Sequence, residues 1–282
     1  MFVRNVLQEI YARFSKLSDS PILDAQVLLA YTMGKTRTWI LAHPDAPLSS
    51  EQKEYLQQSV DRIEYGEPLP YVLGRWEFYS LVFSVTPDVL IPRPETEILV
   101  DKAKDWLFEH PSMRFAADIG TGSGCIAISL AVNTPDLVIL ASDISLPALK
   151  VTQQNVSHHN VTKQVFPVAA NLFPPTQKRF DLICANLPYI PMKRLRKLEI
   201  FGREPGLALN GGTHGLDLIE KIIHEAPQYL IEGGIMLLEI DPSQGEIIMN
   251  LARRVFPDAN VNVVNDLTGK ERLVYIQKYT HK

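Results

Sequence analysis

The chain has 282 residues, 46% hydrophobic and 21% charged, which excludes disordered and fibrous classes and suits one large domain or a core domain with a small attachment. Twenty-eight basic against thirty-two acidic side chains leave a net charge of −4, too negative for a protein held on nucleic acid by a broad positive field. Two cysteines, Cys125 and Cys184, are too few for a disulfide framework or a thiolate metal site, so a reducing, cytoplasmic setting is expected.

Val3, Val6, Leu7, Ile10 and Phe14 recur at helical spacing with Arg4, Glu9 and Arg13 among them, predicting an amphipathic helix and no signal peptide. No apolar run reaches the length of a bilayer span, so no membrane partner is expected. Ser20-Pro21 offers an N-cap and a proline at the first helical position, with Gly34 to close that helix. Ser49 and Gln52 form a capping box, and Leu56, Val60 and Ile63 line one face until Gly66. Residues 1–67 therefore read as a small helical bundle.

Pro68 and Pro70 interrupt that pattern. Phe78, Phe83 and Val85 then predict extended structure, and TPDVLIPRP at 86–94 predicts a rigid loop, so 68–94 reads as an extended hairpin and proline-rich connector. From 95 to 282 helices and strands alternate, which predicts a mostly parallel sheet covered on both faces. Only Asp266-Leu267-Thr268-Gly269 joins the last two strands. A helical crossover does not fit there, so that pair is expected to be antiparallel.

Asp118-Ile119-Gly120-Thr121-Gly122-Ser123-Gly124 ends a predicted strand and opens a helix. Glycines at such a junction let a ligand approach the main chain. The third glycine of the dinucleotide fingerprint is missing, and no Gly-Lys-Ser/Thr follows. Asp143, ending the next strand, stands where an acid accepts hydrogen bonds from ribose hydroxyls. A nucleoside-bearing cofactor follows; the plainer alternative is a simple strand-to-helix turn with Asp143 as a helix cap. Asp118 favours a sulfonium cofactor over a pyrophosphate, because a carboxylate attracts the one and repels the other.

Asn186-Leu187-Pro188-Tyr189, again at a strand's carboxyl end, suits a receptor for a planar NH2 group. The Asn186 amide oxygen and a backbone carbonyl each accept one N–H, Pro188 biases Leu187 toward an extended conformation, and Tyr189 can lie over the group. With both hydrogens engaged, the nitrogen lone pair faces an incoming methyl group.

PLPYVLG at 68–74, LIPRPETE at 90–97, Glu204-Pro205-x-x-Ala208-Leu209-x-Gly211-Gly212-x-x-Gly215-Leu216 and Asp266-Leu267-x-Gly269-x-x-Arg272 complete a wider pattern. Together with the two turns, the chain resembles the PrmC/HemK family, N5-glutamine methyltransferases of class 1 peptide chain release factors. The resemblance implies an α/β fold: a Rossmann-like class I S-adenosylmethionine-dependent methyltransferase domain behind a small N-terminal helical bundle that recognises substrate. It implies that Gly120, Thr121, Gly122, Ser123 and Gly124 contact S-adenosylmethionine, that Asp143 holds its ribose, and that Asn171 and Leu172 flank its adenine. Asn186, Leu187, Pro188 and Tyr189 would be the catalytic turn holding the glutamine of the release factor's Gly-Gly-Gln motif, with Asn186 also against the cofactor. The family's usual turn is Asn-Pro-Pro-Tyr, with Leu187 here at the first proline. Asn171 stands at a common aspartate, and Arg203 where an aromatic is usual before Glu-Pro.

The alternative enzyme reading is an adenine-N6 methyltransferase of RNA or DNA, supported by Lys193, Arg194, Arg196 and Lys197 just beyond the turn. Residues 1–90 carry eight basic and eleven acidic side chains, a local balance of −3, so direct nucleic-acid binding is not expected of them. A pure binding module is the third reading, opposed by the amide receptor. No histidine pair has a metal-ligand context, so no metal is expected.

Overall fold

Val3, Val6, Ile10 and Phe14 are almost wholly buried on one side of α1 (Val3–Phe14), as their spacing predicts. The computed structural model to which this helix belongs describes residues 1–279, which fold as two compact units, Met1–Arg75 and the chain from Trp76 onward. In the first unit α2 (Pro21–Met33) opens on Pro21 and closes on Gly34, whose φ of 61° is the left-handed cap. Ser20 occupies the cap position without making a cap bond; the Ser18 hydroxyl instead accepts the Ser20 N–H at 2.9 Å. Thr36 caps α3 (Arg37–Ala42). The Ser49–Gln52 box opens α4 (Ser50–Glu64), with both reciprocal bonds formed at 3.1 and 2.9 Å.

Residues 68–73 depart from the extended connector expected there. Pro68 and Pro70 fall at the start of α5 (Leu69–Leu73), where a missing N–H is no loss, and they therefore begin a helix instead of breaking one. Leu69 and Leu73 bury into the same apolar cluster as Leu28, Leu29, Leu56 and Val60, so this first unit runs on to residue 75.

β1 (Arg75–Phe78) and β2 (Leu81–Ser84) form a hairpin whose two turn residues, Tyr79 and Ser80, have φ of 53° and 59°, the twist tight hairpins need. A loop and a short 3-10 turn, Pro94–Thr96, lead into α6 (Glu97–Glu109). There follow β3 (Phe115–Ile119), α7 (Cys125–Asn133), β4 (Val138–Asp143), α8 (Leu146–His158), β5 (Val165–Ala169) and β6 (Phe180–Ala185). The rest is α9 (Met192–Leu195), α10 (Asp217–Tyr229), β7 (Leu230–Glu239), α11 (Gly245–Val255), β8 (Ala259–Asn265) and β9 (Glu271–Lys278).

These strands build one seven-stranded sheet in the order β5-β4-β3-β6-β7-β9-β8. β3 to β7 run parallel, and β9 is antiparallel to both neighbours, as the short turn at 266–270 requires. Alternate strand residues feed the two faces. Leu182 and Cys184 join α6 and α7 in one core, while Ile183 and Ala185 join α10 and α11 in the other. Each fully buried aliphatic side chain in these cores contributes about 1.5–3 kcal/mol.

Asn155, fully buried on α8, is the polar exception. Its Oδ1 accepts the Ser84 N–H at 2.7 Å, and its Nδ2 donates to the carbonyls of Ser84 at 3.0 Å and Ser123 at 2.8 Å. One side chain thus ties the end of β2 to the glycine loop after β3. Asn155→Ala leaves these buried groups unpaired, and urea denaturation should show a loss of about 3 kcal/mol.

Candidate active site

Register decides where the chemistry lies. Ile119 pairs with Ser142 and with Ala185, and Asp143 pairs with Ala169, so β3, β4, β5 and β6 end level with one another. The strand order reverses between β3 and β6, and ligands of open α/β sheets bind outside the carboxyl ends at such a reversal. A cavity of about 320 Å³ opens there. Its walls include Gly120, Thr121, Gly122, Ser123, Asp143, Asn171, Leu172, Asn186, Leu187 and Pro188, together with Leu90, Pro92, Thr96 and Ile144. Of the residues that the family resemblance assigns to cofactor or substrate, Gly124 and Tyr189 do not line it.

The three loop glycines answer to three different constraints. Gly120 (φ 73°) approaches the neighbouring turn so closely that an added Cβ would stand 3.0 Å from Leu187 Cδ2. Gly122 has open space around it but a φ of 57°, and its N–H meets the Asp143 carboxylate at 2.9 Å. Gly124 (φ 82°) faces the protein interior, where a Cβ would fall 2.9 Å from Thr152 Cγ2; it serves helix packing and not the cavity wall. Thr152 also donates to the Gly122 carbonyl at 2.7 Å, so α8 holds the loop through both Thr152 and Asn155. Those two polar residues, three apart on a buried helix face, were the available sequence signal for this support.

Asp143 accepts N–H bonds from Gly122 and Ser145, both at 2.9 Å, and Ser145 itself caps α8. A carboxylate has roughly four acceptor sites, which leaves two for a ligand. Leu172, with φ of 69°, is held in the left-handed region by packing and by the Ser142 hydroxyl, which donates to its carbonyl at 2.7 Å. Asp118 corrects the sequence reading: it is 1% exposed and does not face the cavity. Its Oδ2 accepts from Thr121 Oγ1 at 2.6 Å and from the Ala127 N–H at 3.2 Å, beneath the loop. Burial raises its pKa to about 6, partly opposed by these two bonds.

The Asn186–Tyr189 turn is strapped from several sides. Asn186 Nδ2 donates to Thr96 Oγ1 at 3.1 Å, which commits the amide's donor end and turns its oxygen elsewhere. Leu187 is buried against the apolar cluster below, so it replaces a proline's stiffness with packing. Ile190 pairs with the 209–211 segment, and Met192 N–H donates to the Gly212 carbonyl at 2.9 Å. A Cβ on Gly211 would stand 2.7 Å from the Pro188 carbonyl oxygen, and one on Gly215 2.2 Å from that of Tyr189. The Gly-Gly-x-x-Gly spacing thus lets two backbones touch. Gln244, 5% exposed, clips the same pair by donating to the carbonyls of Tyr189 at 3.0 Å and Gly215 at 3.1 Å.

Tyr189 points away from the cavity, its hydroxyl donating to Glu239 Oε1 at 3.3 Å. Burial, and then the Glu239 charge, push the Tyr189 pKa up. Glu239, at the end of β7, is 2% exposed; burial raises it to about 7, opposed by the hydroxyls of Thr96 and Tyr189 and by Arg272. Asp266 holds Arg272 at 3.2 Å, giving the C-terminal motif its purpose. Glu204, buried, accepts the Ile91 N–H at 3.2 Å and pairs with Arg93, so the Glu-Pro motif fixes the 90–94 loop as a cavity wall. Glu239 and Gln244 escaped the sequence reading, as did the role of Thr96 within the 90–97 motif, although Glu239 ends its strand in an acid just as β4 does.

Lys193, Arg194, Arg196 and Lys197 are exposed on and beside α9, with Arg194 paired to Asp241 at 2.6 Å. Cys125 lines the cavity, but burial lifts its thiol to about 12; the same cause lifts Cys184 well above its ordinary value, so neither is a nucleophile at neutral pH.

A sheet of this order, with a glycine loop, an acid and a polar Asn-Leu-Pro-Tyr turn on successive level strand ends, defines the class I methyltransferase fold. The ribosomal protein L11 methylase of Lactobacillus delbrueckii subsp. bulgaricus shares it, with a TM-score of 0.51 and 18% identity over 70% of this chain and 84% of that one. The PrmC N-terminal domain family matches residues 5–74, and the methyltransferase small domain family residues 96–199. The release factor glutamine methyltransferase of Coxiella burnetii is 40% identical over 98% of this chain and 99% of its own, and that of Moorella thermoacetica 38% over 96% and 97%. The chain belongs to the release factor glutamine methyltransferase family. Among the described residues no helix is long and apolar enough to cross a membrane.

Gly211→Ala should destabilise the protein by about 1–3 kcal/mol in thermal or urea melts, because the new methyl meets the Pro188 carbonyl. Gly206→Ala, with nothing within 4 Å, should leave the melt unchanged.

Proposed function

We propose that this protein transfers the methyl group of S-adenosylmethionine to the side-chain amide nitrogen (N5) of the glutamine in the Gly-Gly-Gln motif of class 1 peptide chain release factors. The observation that carries this reading is the Asn186 amide, whose donor end is committed to Thr96 and whose oxygen is left to accept from a substrate NH2 beside the glycine loop.

The residues present fit the cofactor. Gly120 and Gly122 keep the cradle free of side chains, Asp143 retains acceptor capacity for two ribose hydroxyls, and Ile144 and Leu172 offer apolar walls for an adenine. When bound, S-adenosylmethionine supplies a methyl group made electrophilic by its sulfonium. Asn186 Oδ1 and the Leu187 carbonyl accept the two N–H bonds of the glutamine amide and so aim its lone pair. An amide nitrogen is a poor nucleophile, and fixing it in line is where this site gains rate. The nitrogen becomes acidic only as its new bond forms, so no base is needed beforehand.

The helical unit is the part we assign to recognition of the release factor away from its glutamine, and the cytoplasm is where such a substrate is met. An adenine amino group would satisfy the same two acceptors, and the exposed Lys193, Arg196 and Lys197 favour that second reading; family membership favours the protein substrate.

Labelled methyl should pass from S-adenosylmethionine to intact release factor and not to a copy with the Gly-Gly-Gln glutamine changed; label on ribosomal RNA or DNA instead would install the adenine reading. Asn186→Ala should lower turnover about 100-fold while calorimetry shows unchanged cofactor affinity. Asp143→Ala should weaken cofactor binding about 10- to 100-fold, the worth of one or two charge-assisted hydrogen bonds.

A further inference from the structure

The Asn186 side chain presents an acceptor to the cavity only while its amide keeps one of two orientations. What sets that orientation is the Thr96 hydroxyl, 3.1 Å from Asn186 Nδ2. A hydroxyl has one hydrogen, and it accepts from Asn186 while sending that hydrogen elsewhere. Thr96 is 2% exposed, and the group its hydroxyl faces is the Glu239 carboxyl. That carboxyl receives Tyr189 on Oε1, while its buried Oε2 has no hydrogen-bond partner.

We infer that Glu239 is a positioning residue for methyl transfer: its carboxylate draws the Thr96 hydroxyl hydrogen, which obliges Thr96 to accept from Asn186 Nδ2 and turns Asn186 Oδ1 toward the substrate nitrogen. This rests on the methyl-transfer reading above. If Glu239 is protonated it donates to Thr96 in place of accepting. The Thr96 hydrogen is then released to Asn186, the amide turns over, and an NH2 donor confronts the substrate's own NH2.

The charged and titratable groups facing Glu239 are Arg272 on β9, Tyr189 after β6, Glu95 in the turn before α6 and the Cys125 thiol at the start of α7. Both Tyr189 and Cys125 are displaced to high pKa, so neither titrates near neutrality. Burial, reinforced by the Glu95 charge, raises Glu239 to about 7 against the hydroxyls and Arg272. The carboxylate is the active form, so turnover should fall as pH drops through that region.

The test pairs kinetics with a readout that needs no turnover. In wild type, kcat should show an acid limb with a midpoint near 7. Glu239→Gln should lower kcat about 100-fold, abolish the limb and leave cofactor affinity unchanged. Thr96→Val should reproduce Glu239→Gln, the double variant should be no worse than either, and Thr96→Ser should keep activity within about twofold, which guards against misfolding as the cause. In the cofactor-free protein, the Asn186 side-chain amide resonance, assigned by its loss in Asn186→Ala, should shift with the same midpoint and stay still in Glu239→Gln. A Glu239→Gln enzyme with normal kcat and an intact acid limb, or an Asn186 resonance indifferent to pH in wild type, overturns the inference. Wild-type protein that fails to methylate release factor overturns the substrate reading instead, and the resonance still decides the coupling.

Discussion

The level ends of β3 and β6, at the place where strand order reverses, are the constraint on which the rest of this molecule depends. Two parallel strands that stop at Ile119 and Ala185 deliver their following turns to one spot. Gly120 and Leu187 approach each other there so closely that a Cβ on Gly120 would stand 3.0 Å from Leu187 Cδ2. A loop that suits a nucleoside and a turn that suits a planar amino group become one cavity by register alone. The sheet supplies the geometry, and the side chains only have to fill it.

Holding those turns still takes more protein than forming them. The glycine loop rests on Asp118 below and on Thr152 and Asn155 from α8. The Asn-Leu-Pro-Tyr turn rests on Thr96, Gln244, Glu239 and the backbone of 209–215. Each such hydrogen bond contributes only about 1 kcal/mol net to stability, yet an unpaired buried partner costs up to about three times that. The network therefore selects one arrangement sharply without adding much stability, which is what a site that works by alignment requires.

Much of this was legible in the sequence because the signals were local. The Ser49–Gln52 box, the glycine run and the four-residue turn at Asp266–Gly269 each dictate their own backbone, and the antiparallel β8–β9 pair follows from the last. Local signals misled where tertiary structure chose between two uses of one residue. Pro68 and Pro70 were as able to start a helix as to stop one, and burial of Leu69 and Leu73 decided it. Asp118 and Gly124 sit in the glycine motif but serve its interior: Asp118 is buried in β3 and holds Thr121 and the start of α7, and Gly124, the N-cap of α7, packs against Thr152 of α8. Glu239 and Gln244 were invisible for another reason: their partners lie 50 and 55 positions away and nothing short-range marks them, while Thr96 lay inside the 90–97 motif with its partner 90 positions off and so without a role.

That same distance shapes how the protein comes into being as it is synthesised. The first unit closes on itself by residue 75 and can fold while the remainder is still emerging. The cavity cannot. Its loop wall waits for Glu204, its turn for Glu239 and Gln244, and the ion pair beside them for Arg272. A nascent chain therefore carries a finished helical unit well before it carries a functional site.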